Sequence, residues 1–201
     1  MRIQSSLAIV TAIAVFGLTA TNLNAQAGVA HGRFAHRNAQ GGVTAGRGTV
    51  ARGPNGGVAG RGHVVTSNGQ GQGASASGGF FKGPNGAEGS RHSSTQWNDG
   101  SVAHQGSAQA SGKNGSIQSN GSFQRSSNGQ FSGQRSTTAT GANGGSYQGN
   151  TTYQNGSATH TTDATNKSGD TYQGETTYEK GQGVTHTGTC TNSSGQTIPC
   201  K

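Results

Sequence analysis

Acids, aromatics, cysteines and long hydrophobic runs are all scarce in this chain, and each scarcity excludes something. Only six Asp and Glu stand against fourteen Lys and Arg. General acid–base chemistry by paired carboxylates needs two acids held together in a walled pocket, and there is little here to build one. Aromatics make up 5% and hydrophobic residues 27% of the 201 residues, where an ordinary domain is about 45–50% apolar even counting Gly. A thick globular core is therefore not available. Charged residues are only 10%, too few for a disordered tail held open by charge. The two cysteines, ten residues apart, have neither catalytic nor metal-site spacing.

The single long apolar run, Leu7–Ala20, follows Arg2 at the amino end. It is close to the h-region of a secretory signal and shorter than the ~20 residues of a membrane span. Residues 1–27 are therefore read as a signal peptide, with a small-x-small cleavage site after Ala27 (Ala25-Gln26-Ala27) and a rival site after Ala25 (Leu23-Asn24-Ala25). No Cys lies near the junction to suggest a lipid anchor. The expected location is secreted, cell-surface or periplasmic, with no integral membrane span after cleavage.

What the chain does have is glycine, 38 residues of it, and a direct repeat. Gly144–Gly156 (GGSYQGNTTYQNG) returns as Gly169–Gly181 (GDTYQGETTYEKG) at an offset of 25 residues. Read as a strand, Ser146–Gln154 puts Tyr147, Gly149, Thr151 and Tyr153 on one face and Gln148, Asn150, Thr152 and Gln154 on the other. Two positions that differ between copies, Asn150/Glu175 and Gln154/Glu179, lie on the polar face. Asn155-Gly156 suits a type I′ corner, where both central residues take positive φ. Ser157–Thr165 then pairs back, so one unit is two strands and two turns.

The same rhythm extends upstream. Turn glycines are expected at Gly56, Gly69, Gly86, Gly100, Gly115, Gly129, Gly144, Gly156, Gly169, Gly181 and Gly195, and from Asn55 to Asn155 the corners recur every 12 to 17 residues. Regular corners separated by strand-like runs predict an all-β fold, a repetitive hairpin meander forming an extended sheet or a β-solenoid. Residues 28–52, rich in Gly, Ala and Arg, show no clear Asn-Gly corner, so both disorder and an irregular first strand pair stay open. The hairpin array is expected over 53–189. Residues 190–201 form a last hairpin closed by a Cys190–Cys200 disulfide, as suits an exported chain.

No catalytic residue, cofactor site or metal site is nominated, and no small-molecule substrate is expected. Glu175 and Glu179 read as solubilising charges. His160 and His186, each in Thr-His-Thr, are two ligands at most and read as exposed strand residues. The basic half of the chain is the candidate for binding. Residues 28–135 hold ten Lys and Arg against Glu88 and Asp99. Arg33, Arg37, Arg47, Arg52, Arg61 and Arg91 are candidate contacts to an anionic polysaccharide, lipopolysaccharide, headgroup or extracellular DNA. In composition the Gln/Asn/Ser/Thr/Tyr strands resemble secreted fibre subunits such as curli, without their Ser, Gln and Asn spacing. The function expected is a non-enzymatic structural or adhesive surface protein that self-associates through strand edges. The alternative is an envelope or anionic-polymer binder.

Overall fold

A computed structural model describes residues 27–200. The signal-peptide assignment, apart from Ala27, lies outside the described residues. The described residues form thirteen strands: β1 (Gly28–Arg37), β2 (Val43–Arg52), β3 (Val58–Ser67), β4 (Gly73–Lys82), β5 (Glu88–Asn98), β6 (Ser101–Gly112), β7 (Gly115–Arg125), β8 (Phe131–Gly141), β9 (Ser146–Gln154), β10 (Ser157–Thr165), β11 (Thr171–Glu179), β12 (Gly183–Thr191) and β13 (Thr197–Ile198). Their order in space is their order in sequence, and every pair is antiparallel. Each strand touches only its sequence neighbours. Of the two architectures expected, the solenoid is therefore excluded and the extended open sheet is found. Residues 28–52 form β1 and β2, paired over ten residues.

The corners explain the glycines. All eleven expected turn glycines have positive φ, a region a Cβ makes costly. Asn155 (φ 48°) and Gly156 (φ 98°) give the type I′ loop expected, and Asp99 (φ 47°) with Gly100 (φ 83°) makes a second. The corner missing from the sequence reading is Asn38–Gly42. Gly41 has φ 79°, and the Asn38 side-chain oxygen accepts from the Gly42 N–H at 2.9 Å. Asn166 and Asn192 make the same bond to Asp170 and Gln196, at 3.0 and 2.9 Å. Asn-x-x-Gly is thus a second corner signature beside Asn-Gly.

The register lines up two unlike faces. One row runs from Val29 and Ala51 through Phe81, Ile117 and Tyr147 to Cys190 and Ile198, and every member is hydrophobic or glycine. We call this side face A. On the opposite side, face B, the neighbouring row ends in an unbroken run of Ser and Thr from Ser111 to Thr197. Hydroxyl pairs such as Ser116–Thr140 (2.8 Å) and Thr171–Thr191 (2.6 Å) bridge strands there. Such cross-strand pairs are the unit of stabilisation in a sheet.

Among the described residues no hydrophobic side chain is buried. In place of a core, aromatic rings lie across glycines. Phe34 is directly opposite Gly46, Phe80 opposite Gly60, Phe81 opposite Gly89 and Trp97 opposite Gly73. A Cβ built on any of those glycines would come within 2.5 Å of the ring. Within the repeat, Tyr147 lies over Gly149 and Tyr172 over Gly174, each two residues along its own strand. A glycine strand position exposes backbone and packs nothing by itself; the neighbouring ring restores the contact.

Candidate functional site

The strands sort the charges by face. Arg33, Arg37, Arg47, Arg61 and Arg91 all project on face A, because register and alternation give them one parity. Arg33 is directly opposite Arg47, which is directly opposite His63. Arg61 and Arg91 flank Gly79 on β4. A Cβ at Gly79 would meet Arg91 Nε at 3.6 Å and Arg61 Cβ at 3.7 Å, so the Arg91 guanidinium lies beside the strand where a side chain at Gly79 would stand.

Arg52, the sixth candidate, is not part of this group. It projects on face B, in the row of Val58, Lys82 and Glu88. Two arginines the sequence reading counted but did not nominate, Arg125 and Arg135, do lie on face A. Arg135 Nε donates to Ser119 Oγ at 3.1 Å across β7 and β8. Counting parity through the corners would have found both.

The acids take the other side. Glu88, Asp163, Glu175 and Glu179, the four carboxylates carried by strands, all project on face B. Asp99 and Asp170 sit in corners. Face A thus carries seven strand arginines and no strand carboxylate. Arginines opposed across a sheet with no intervening acid repel one another in the free protein, and that repulsion falls when an anion arrives.

Apolar groups follow the arginines. Among the described residues eleven large hydrophobic side chains are exposed, and ten of them project on face A; the exception is Phe80. His104 stacks on Phe123 with ring centroids 5.0 Å apart, and Phe123 meets Phe131 at 5.9 Å. Face B is amide- and hydroxyl-rich. Its shallow hollows, open to solvent, are lined in part by Gln109 and Gln118 and by Gln96, Gln105, Gln124 and Gln134.

The two repeat histidines share a row with Thr176 between them. Two strand spacings, about 9.6 Å, keep them apart. His160 bonds Thr151 Oγ1 at 2.8 Å and Thr162 Oγ1 at 3.0 Å; His186 bonds Thr176 Oγ1 at 2.8 Å and Tyr172 Oη at 3.1 Å. Among the described residues no three His, Cys, Asp or Glu cluster as a metal site. Cys190 and Cys200 form the disulfide, with Cα atoms 5.4 Å apart. It ties down β13, which pairs only with Cys190 and Thr191.

No protein-family model, no curated protein and no solved structure matches the chain.

Proposed function

We propose that this is an exported, non-enzymatic structural or adhesive protein of the cell surface or matrix, which assembles by strand addition at the two ends of its sheet. The supporting observation is the edge geometry. β1 ends the strand order on one side. On the other, β13 covers only two residues of β12, leaving Gly183–Thr189 along the edge. Unpaired strand edges template further pairing.

The direction of the strands favours head-to-tail growth. β1 and β12 are an odd and an even strand of one antiparallel meander, so β12 of one copy meets β1 of the next antiparallel. Keeping the rows in line places Ala30–His36 against Gly183–Thr189, with Ala35 opposite Val184. Such a junction does not close on itself and propagates as a fibre or ribbon. It predicts concentration-dependent thioflavin fluorescence and a ~4.7 Å reflection. The double variant Ala35→Lys, Val184→Lys sets like charges opposite each other and should abolish assembly. Ala35→Lys with Val184→Glu should restore it. Undiminished assembly of the Lys/Lys variant sinks the junction.

A second reading is favoured by the arginines that share face A: binding of an anionic polymer or envelope component. Retention on heparin that weakens with salt, and that drops when Arg47, Arg61 and Arg91 become Gln, is its test.

A further inference from the structure

We propose that face A docks on a bilayer surface containing anionic lipid. The inference rests on the same arginines as the anion-binding reading and extends it, because arginine accounts for only part of the face. Large apolar residues stand exposed among them: Val29 at 62%, Ile117 at 48%, Phe81 and Tyr178 at 45%, and Val184 at 67%. They continue from one edge of the sheet to the other, past the strands that carry arginine.

Twelve spacings of about 4.8 Å and strands about 30 Å long make a face of roughly 1,700 Å². The arginines and the exposed apolar residues share that area, and exposed apolar residues clustered among polar ones mark an interaction surface. A soluble polyanion would satisfy the guanidinium groups and leave the apolar row in water. A second copy stacked face A to face A would bring no strand carboxylate to the arginines, whichever way round it lay. Stacking face A on face B would bring Glu88, Asp163, Glu175 and Glu179 towards the arginines but would lay Ser, Thr and Gln over much of the apolar row. An anionic bilayer answers both parts of the pattern. Its headgroups meet the guanidinium groups, whose stems lie along apolar surface. Its outer acyl region takes Phe and Ile, and Tyr suits the boundary between them. Binding of this kind grows with buried apolar area and with anionic lipid content. Edge-to-edge assembly leaves face A free, so the two contacts are compatible.

The test is flotation of the purified protein with vesicles of phosphatidylcholine alone or with phosphatidylglycerol added, run beside heparin retention. Expected is binding to the anionic vesicles only, with Trp97, on face A, quenched by brominated acyl chains. Each arginine removed should weaken binding about fivefold. Phe81→Ser with Ile117→Ser should weaken vesicle binding at least about tenfold and leave heparin retention unchanged. Phe80→Ser, on face B, should change neither. Vesicle binding that ignores the Phe81/Ile117 change, or heparin retention without vesicle binding, overturns the lipid inference and leaves the polyanion reading standing. Failure on both supports removes both. If the double variant does not fold, as far-UV circular dichroism would show, unquenched Trp97 in the unaltered protein still overturns the proposal.

Discussion

At the residue scale, glycine is required at some strand positions and replaceable at others, and substitution separates the two. Gly89 lies under Phe81; a Cβ there would also approach the Gln109 carbonyl oxygen to 2.8 Å, and a backbone atom has little room to yield. Gly89→Ala should cost about 1–3 kcal/mol, as overpacking does. Gly32 has nothing within 4 Å of the built Cβ and no positive φ. Gly32→Ala should therefore stabilise by about 0.5–1 kcal/mol through lost unfolded-state freedom. Denaturant midpoints of the two variants, moving in opposite directions, are the check. Asn155 holds a positive φ of 48° and its side-chain oxygen accepts from the Phe131 N–H at 2.9 Å. Asn155→Ala should destabilise by about 1–2 kcal/mol, and Asn155→Gly by less, because glycine removes the backbone cost and loses only the hydrogen bond.

At the element scale, the hairpin is the unit, and the last one is incomplete. β13 is two residues long and stays in place through the disulfide. Replacing both cysteines by Ser should cost up to about 3 kcal/mol in the chain-entropy model. The loss should be local: hydrogen exchange should quicken at Cys190 and Thr191, the two β12 residues β13 covers, and stay unchanged in central strands. The same variant uncovers the last two rows of β12 for an incoming β1. Under the assembly proposal its thioflavin lag should shorten. A longer lag would mean that β13 is part of the junction.

At the scale of the whole molecule, the described strands touch only their neighbours in sequence. Stability in such arrays is close to a sum over units and their interfaces. Removing Ser146–Asp170, one 25-residue unit, joins Gly145 to Thr171, the counterpart of Ser146. The shortened chain should fold to an eleven-stranded sheet with its disulfide intact, since β8 meets β11 in the register it now makes with β9. Strand content by circular dichroism and thiol titration would show it. A chain that lost all structure would mean that the sheet is cooperative end to end.

Much of this was legible in the sequence. Strand and corner alternate because Asn-Gly and its relatives supply positive φ at short intervals, and each predicted corner glycine is where it was expected. The Tyr/Thr and Gln/Asn faces of the repeat, and the cysteine pair, follow from local spacing alone. Asn38–Gly42 was not read, because its signature spreads over five residues with no Asn-Gly step. The common face of the arginines was not read either. Alternation places a side chain within its own strand, whereas agreement between distant strands depends on every corner length between them, and a slip of one residue turns a strand over. Openness was likewise a tertiary decision. Local pattern makes hairpins, but the pairing of each strand with its sequence neighbours, and the failure of β1 and β13 to meet, determine that the sheet has ends and two unlike faces.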